Sequence, residues 1–107
     1  MALLNLNDKN FKEEVLNSHL PVMVDFWAEW CGPCRMVSVL IEELAHEFQG
    51  RIKIGKLNVD ENHRVTTQYG IMSIPALVFF KDGKVNDQIS GALNKTQLRN
   101  KIIENLL

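Results

Sequence analysis

The sequence predicts an α/β fold in a single domain over residues 1–107, and three observations support this prediction. Short apolar runs alternate along the chain with segments whose apolar residues recur at helical spacing. The chain has 107 residues, 46% of them hydrophobic, which is enough to bury a core without structural disulfides. We find no internal repeat, low-complexity segment or linker. The predicted order of elements is β-α-β-α-β-α-β-β-α.

The N-terminal part is predicted to be a strand, a helix and a second strand. Leu3–Leu6 is a short apolar strand. Asp8 is a suitable N-cap for a helix that ends at about residue 17, with an inner face of Phe11, Val15 and Leu16. Pro21 interrupts this pattern. The almost continuously apolar run over residues 22–28 is then typical of a central strand covered on both faces.

A long core-facing helix is predicted in the middle of the chain. It begins at Pro33 or Cys34 and stops at Gly50, a residue type common just beyond helix ends. Its apolar residues recur at helical spacing, namely Val37, Leu40, Ile41, Leu44, Ala45 and Phe48. A strand over residues 51–59 and a short helix over residues 62–69 follow.

The C-terminal part is predicted to be a β-hairpin and a final helix. The strands 76–81 and 84–90 flank Asp82-Gly83, a strong signal for a two-residue turn. The helix Thr96–Leu106 is amphipathic, and its inward-facing residues are predicted to be Leu98, Ile102, Ile103 and Leu106.

The only two cysteines, Cys31 and Cys34, form a C-x-x-C pair, which is either a redox dithiol or half of a zinc site. A structural zinc ion needs four ligands, commonly two such pairs or one pair with two spaced histidines. No second pair exists, and the three histidines lie far apart in the sequence. The pair is therefore interpreted as a dithiol that opens and closes as a disulfide. An adventitious metal pair and an inert structural bridge are the alternatives.

Cys31 is the predicted nucleophile because it stands where a buried strand ends and a helix begins. Unpaired N–H groups and the positive end of the helix dipole favour a thiolate there, and its sulfur is expected to be open to solvent. Cys34 lies one helical turn further in, where burial raises the pKa of a thiol. It is predicted to wait protonated and then to resolve the mixed disulfide on Cys31 in an intramolecular step.

Asp25 is the predicted acceptor of the Cys34 proton. It is a lone carboxylate in an apolar strand that ends just before the dithiol, and burial raises the pKa of such a group toward neutrality. By strand parity Lys56 shares a face with Ile52 and Ile54, so its stem is expected to point inward. The alternatives are an exposed aspartate in a bulge and a lysine that only reaches along the surface.

Composition disfavours several other function classes. The formal net charge is −1 and no run of like charges stands out, whereas a nucleic-acid-binding protein would show a basic stripe. No apolar run approaches the roughly 20 residues that cross a bilayer. Residues 1–5 have neither the basic nor the apolar region of a secretory signal. We therefore expect a cytoplasmic protein, in a compartment where a C-x-x-C pair is more often catalytic than structural.

The motif W-A-E-W-C-G-P-C at residues 27–34, together with Asp25 and Ile74-Pro75, closely resembles thioredoxin. The similarity runs from the first strand to the last helix. It implies the thioredoxin fold, a five-stranded mixed sheet flanked by four helices, with the dithiol at the carboxyl edge of the sheet. It also makes Lys56 the partner of Asp25, implies a cis peptide bond before Pro75, and suggests a flat apolar docking surface made of Trp30, Ile74, Pro75, Gly91 and Ala92. Trp27 is expected in the core.

The resemblance implies a general protein-disulfide reductase. Pro33 at the start of the helix fixes the spacing of the sulfurs, and Gly32-Pro33 is the pair typical of reducing members. Thioredoxins have potentials of about −270 mV, against about −120 mV for the oxidant of the same fold. No G-x-G-x-x-G motif is present. The family therefore implies no bound cofactor, and re-reduction by a separate thioredoxin reductase that draws on NADPH or, less commonly, on ferredoxin. A monomer without metal is expected.

Two residues depart from the family pattern. Val39 stands where a proline usually kinks the helix, which predicts a straighter, regularly hydrogen-bonded helix. Ala76 replaces the usual threonine after the cis-proline and leaves the hydrogen bonds of that hydroxyl in doubt. Three other functions stay open at this point: an oxidase or isomerase, a binding module that uses the apolar surface without thiol chemistry, and a metal carrier.

Overall fold

A computed structural model of the chain describes residues 2–107; residue 1, where the predicted domain begins, lies outside the described part. Five strands form one sheet: β1 (Leu3–Leu6), β2 (Val22–Trp27), β3 (Lys53–Asn58), β4 (Ala76–Lys81) and β5 (Lys84–Ser90). The helices are a π-helical turn (Lys12–Leu16) and α1 (Gly32–Glu47), α2 (His63–Gln68) and α3 (Lys95–Leu106). The strand order is β1-β3-β2-β4-β5. Strands β1, β3 and β2 are parallel, while β4 is antiparallel to β2 and β5. The predicted five-stranded mixed sheet with four helices is confirmed.

Both faces of the sheet are covered, with β2 at its centre. Successive side chains of a strand point to opposite faces. Met23 accordingly packs in a cluster with α1 and α3, whereas Val24 and Phe26 pack in a second cluster with the π-helical turn and α2. By the same alternation, Asp25 points toward α1. The carboxyl end of β2 leads directly into the segment that starts α1.

The helix predicted over residues 8–17 is much shorter in the structure. Only the π-helical turn Lys12–Leu16 forms, and Phe11 precedes it without a side-chain cap. Phe11 and Val15 are buried as predicted, and Leu16 is half-buried. The predicted apolar face is therefore present although the regular helix is not.

Asp8, the predicted cap of that first helix, caps α2 instead. Its carboxylate accepts hydrogen bonds from the backbone N–H groups of Arg64 and Val65 at 3.3 and 3.0 Å. The side chain of Asn62, the N-cap residue of α2, is not bonded to the helix but accepts from the N–H of Asp8 at 2.9 Å. A helix start needs acceptors for its free N–H groups, and here a residue distant in sequence supplies them.

The central helix α1 follows the prediction closely. It begins at Gly32, one residue before the predicted start, and runs without a break through Val39. Gly50, just beyond its end, has a φ of +88°, the left-handed conformation that glycine adopts readily. Strand β2 ends at Trp27, so Ala28 is buried but lies outside the strand.

The last helix has a different inner face from the predicted one. Leu98, Ile102 and Leu106 are buried, but Ile103 is 45% exposed. Adjacent residues are about 100° apart around a helix of 3.6 residues per turn, so Ile102 and Ile103 cannot both face the sheet. Asn94 and Gln97 form a capping box at the start of α3.

The β-hairpin has the predicted turn. Asp82 and Gly83 have φ angles of 54° and 77°, both positive, as a two-residue turn of this kind requires. A Cβ atom at Gly83 would also lie 2.6 Å from the carbonyl oxygen of Leu16, so the close approach of two backbones requires glycine. Across residues 2–107 no helix has both the length and the apolar character needed to cross a membrane.

Candidate active site

Cys31 and Cys34 form a disulfide at the N-terminus of α1, with their Cα atoms 5.3 Å apart. Cys31 is the N-cap residue, and its Sγ accepts a hydrogen bond from the backbone N–H of Cys34 at 3.3 Å. Pro33, the second residue of the helix, has no N–H to leave unpaired. The first sulfur therefore lies where the free N–H groups and the dipole of α1 stabilise negative charge.

The prediction that the Cys31 sulfur is open to solvent is wrong for the disulfide form. Cys31 is 4% exposed and Cys34 is 2% exposed. Both cysteines are therefore buried when they are joined as a disulfide. Gly32 and Pro33 between them are exposed. A protein that approaches the disulfide therefore meets these two residues first.

Asp25 and Lys56 lie opposite each other in the parallel register of β2 and β3. Each follows, by two residues, a core residue of the α1 face, Met23 and Ile54, so both side chains point toward α1. Asp25 is 0% exposed, and neither of its carboxylate oxygens has a hydrogen-bond partner within residues 2–107. The interpretation of Asp25 as an exposed bulge residue is therefore excluded.

Burial raises the pKa of Asp25 from 3.8 to about 7, and the positive charge of Lys56 opposes part of this rise. Burial acts in this direction because a charged carboxylate loses the stabilisation of water when it is enclosed by apolar groups. At neutral pH the Asp25 carboxyl is thus close to half ionised. A group in this state can both accept and release a proton under physiological conditions.

The ammonium group of Lys56 is held by two residues other than Asp25. Its Nζ donates a hydrogen bond to Oγ of Ser38 at 2.7 Å and lies 4.4 Å from the centroid of the Trp27 ring. Trp27, predicted in the core, is half-buried. A cavity of about 80 Å³ lies at this point, and its lining includes Trp27, Cys34, Ser38 and Lys56.

Sequence reasoning missed Ser38. It follows Cys34 by four residues, so both residues lie on the same face of α1. The signal that could have identified Ser38 was a hydroxyl on the sheet-facing side of a predicted helix, since Lys56 was predicted to point inward from the sheet. The identity of its partner depended on how α1 lies across the sheet.

The structure brings members of the predicted docking surface together in pairs: Trp30 and Ile74 line one cavity, and Gly91 is bonded to Pro75. Trp30 is 70% exposed, and its Nε1 donates a hydrogen bond to Asp60 at 2.8 Å. The Ile74-Pro75 bond is cis, as predicted. The N–H of Gly91 donates to the carbonyl oxygen of Pro75 at 2.9 Å, which joins these two members of the predicted surface. Gly91 and Ala92 are exposed, whereas Pro75 is buried and contributes no open surface.

An apolar cavity of about 130 Å³ adjoins this surface. Its lining includes Trp30, Ile71, Met72 and Ile74. Met72, which the sequence did not single out, is 96% exposed at its edge. Ala76, buried at the start of β4, has no hydroxyl to place at the site. Among the described residues no cluster of three or more histidine, cysteine, aspartate or glutamate side chains could hold a metal ion.

A disulfide at a helix start, a cis-proline bonded to the residue that follows β5, and a five-stranded mixed sheet together indicate a thiol-disulfide oxidoreductase with the thioredoxin fold. The family model described as Thioredoxin matches residues 2–104, and the chain belongs to the thioredoxin family. The resemblance found in the sequence is confirmed.

Three relatives show the same relationship. Thioredoxin 1 of Nostoc sp. (strain PCC 7120) is 53% identical over 97 residues, which are 91% of each chain. Thioredoxin of Synechocystis sp. (strain PCC 6803) is 52% identical over 97 residues, again 91% of each chain. Thioredoxin of Haemophilus influenzae is 47% identical over 104 residues, 97% of each chain. The chain is thus a thiol-disulfide oxidoreductase that reduces protein disulfides with a reversible dithiol. Proteins of this family need no bound cofactor for that reaction.

Proposed function

We propose that Cys31 starts protein-disulfide reduction and that Cys34 completes it. The Cys31 thiolate attacks one sulfur of a substrate disulfide, so that a Cys31–substrate bond forms and the substrate S–S bond breaks. The sulfur atom that leaves carries the electron pair of that bond and takes up a proton. Cys34 then loses its proton and attacks Cys31, which forms the Cys31–Cys34 disulfide and releases the second substrate thiol. Two electrons pass from the dithiol to the substrate.

The hydrogen bond at the sulfur of Cys31 is the observation that carries this assignment. An N–H at the start of α1 points to Sγ of Cys31 and would stabilise a thiolate there. The Cys34 sulfur does not receive this hydrogen bond, because the backbone N–H of Cys34 is itself the donor to Cys31. An attacking thiol with the lower pKa is also the better leaving group when Cys34 attacks it.

Asp25 receives the proton of Cys34 in this proposal, with Lys56 as its partner. Three observations support the assignment: the carboxyl is buried, it points toward the helix that carries Cys34, and its pKa of about 7 lets it accept a proton at neutral pH. Lys56 supplies a positive charge that stabilises the ionised carboxylate before the transfer.

Gly32 and Pro33 tune the reduction potential, and the docking surface binds the substrate. A Cβ atom at Gly32 would meet no described atom within 4 Å, so packing does not explain this glycine. The backbone N–H and C=O groups of Ile74 form no hydrogen bond within residues 2–107, and an extended substrate chain can pair with them. The exposed members of the surface, Trp30, Gly91 and Ala92, flank this backbone, and Pro75 holds its shape.

Family membership supports the proposed electron source and location. We expect one domain over residues 1–107 that acts as a cytoplasmic monomer. A separate thioredoxin reductase reduces the Cys31–Cys34 disulfide with electrons from NADPH, or less commonly from ferredoxin. Proteins that contain disulfides are the other partners.

Insulin reduction coupled to NADPH and a thioredoxin reductase tests the proposal. The wild-type chain should turn over, Cys31→Ser should be inactive, and Cys34→Ser should accumulate a mixed disulfide with the substrate on Cys31. Brief alkylation of the reduced chain at neutral pH should label Cys31 before Cys34. Labelling of Cys34 first, or no turnover even with dithiothreitol as reductant, would contradict the assigned roles.

A further inference from the structure

Ser38, a polar residue of α1, forms a hydrogen bond with a predicted site residue on the sheet. Its Oγ accepts a hydrogen bond from Nζ of Lys56 at 2.7 Å. The residue is half-buried and follows Cys34 by one helical turn. The contact therefore joins the helix that carries the resolving cysteine to the strand that carries the lysine.

The place of the ammonium group is defined by this contact and by the Trp27 ring, whose centroid is 4.4 Å away. Within residues 2–107, Lys56 forms no salt bridge with Asp25, although the two residues are opposite each other in the sheet. The positive charge acts on the carboxylate through space, and its effect depends on where the ammonium group is held.

We propose that Ser38 is a positioning residue, which holds the Lys56 ammonium group in the cavity beside Cys34 and thereby sets the ease of proton transfer from Cys34 to Asp25. The inference rests on the proposed roles of Asp25 and Lys56. It adds Ser38, a residue of α1, to the pair formed by Asp25 and Lys56, both of which lie on the sheet.

Other charged groups lie near Lys56. Glu29 and Arg35, of opposite charge, are exposed and line the same cavity. Glu42 and His46, on α1, are also exposed and line a second cavity together with Lys56. On the other side of Asp25, strand β4 places the apolar Leu77 at the paired position. Of these groups, Lys56 is the cation whose charge lowers the pKa of the Asp25 carboxyl.

Loss of the Ser38 hydroxyl should release the ammonium group into water, because an ammonium ion is strongly hydrated and its flexible stem can turn outward. The carboxylate then loses a nearby positive charge and becomes harder to ionise. We expect Ser38→Ala to raise the pKa of Asp25 in the oxidised protein by at least half of the rise that Lys56→Met produces. The rate of protein-disulfide reduction at pH 7 should fall about two-fold, because a smaller fraction of Asp25 is ionised.

The experiment combines carbon-detected NMR titration of the Asp25 carboxyl with pH profiles of insulin reduction. Ser38→Thr keeps the hydroxyl and should restore the wild-type titration. Val39→Ala, the next residue on the exposed side of α1, should leave it unchanged. In the double variant Ser38→Ala/Lys56→Met, the titration should equal that of Lys56→Met alone, since Ser38 acts only through the lysine. Alanine favours helix over serine, so unfolding of α1 is not expected.

Two results would overturn the inference. If Lys56→Met shifts the titration and Ser38→Ala does not, Ser38 has no positioning role and the proposed function stands. If neither Lys56→Met nor Asp25→Asn changes the pH profile of reduction, the proposed proton-transfer pair fails, and the role of Ser38 fails with it.

Discussion

The two faces of strand β2 have opposite characters. On the face toward α2, Val22, Val24 and Phe26 are buried in a cluster of apolar and aromatic residues. On the face toward α1, Met23 is followed by the buried carboxyl of Asp25 and by Trp27, which lies under the ammonium group of Lys56. One strand therefore combines a purely apolar face with a face that becomes polar toward the end that leads to the dithiol.

The two faces differ in their effect on stability: the apolar face stabilises the fold, whereas the buried carboxyl on the other face destabilises it. Toward α2, three aromatic rings pack with centroids 5.2–5.7 Å apart: Phe11, Tyr69 and Phe80. Such pairs contribute about 0.5–1.5 kcal/mol each beyond the area they bury. Toward α1, a rise in the pKa of Asp25 from 3.8 to about 7 corresponds to about 4 kcal/mol against folding once the carboxyl is ionised. The destabilisation from the ionised Asp25 carboxyl on one face is therefore larger than the stabilisation from any single aromatic pair on the other face.

The largest expected effect lies on the apolar face. Phe80→Ala removes a buried ring that contacts both other rings, and it should lower the free energy of unfolding by about 3–5 kcal/mol. Urea unfolding of the oxidised protein measures this change. If the faces are independent, the Asp25 titration should stay at its wild-type value. A shifted titration in folded Phe80→Ala would show that the apolar face also controls the site. Phe80→Leu, which keeps much of the volume, should show a smaller loss.

The next effect lies on the polar face and depends on pH. The pKa of Asp25 is higher in the folded chain than in the unfolded chain, so the folded chain binds more protons between pH 3.8 and about 7. Its stability therefore falls as the pH rises through this range, by up to about 4 kcal/mol in total. Asp25→Asn should remove that fall: it should stabilise the protein at pH 8 by up to about 4 kcal/mol and have little effect at pH 4. Insulin reduction at pH 7 should decrease at least about ten-fold.

Urea unfolding of the oxidised protein at pH 4 and pH 8 measures the stability change of Asp25→Asn. The exposed carboxyl of Glu61 offers a matched control, and Glu61→Gln should change stability little at either pH. An equal effect of Asp25→Asn at both pH values would mean that the raised pKa is not the source of the cost.

The smallest effect concerns the cap that supports the apolar face. Asp8→Ala removes the acceptor for two N–H groups of α2 and should cost about 0.5–2 kcal/mol. Asp8→Asn keeps an acceptor oxygen and should recover most of this loss. Amide hydrogen exchange at Val65 reports the change locally. Protection of Val65 that does not change in Asp8→Ala would show that the contact does not stabilise α2.

Local signals accounted for most of the fold. The Asp82-Gly83 turn, the apolar alternation of the strands and the spacing of apolar residues in α1 depend on a few neighbouring positions, so the sequence predicted them well. The motif at residues 27–34 predicted the dithiol and its helix start. Asp25 was predicted because a single carboxylate in an apolar strand is conspicuous.

The predictions that failed concern how residues are placed in the folded chain. Asp8 was assigned to the nearest helix but caps one that starts over 50 residues later. Ile103 is apolar, but the orientation of α3 on the sheet placed it outside. The sulfur of Cys31 was expected in solvent, whereas Cys31 is buried in the disulfide form.

The sequence by itself determined the reacting atoms, the order of strands and helices and the charge buried in β2, because each depends on residue type and short-range periodicity. Only the tertiary structure decided which groups surround that chemistry: the hydrogen bond from Lys56 to Ser38, the cap from Asp8 to α2, and the Asp25 carboxylate, which has no hydrogen-bond partner within residues 2–107. These contacts depend on how helices, strands and loops that are distant in the sequence pack against one another. That arrangement is set by the packing of the whole core and not by any local pattern.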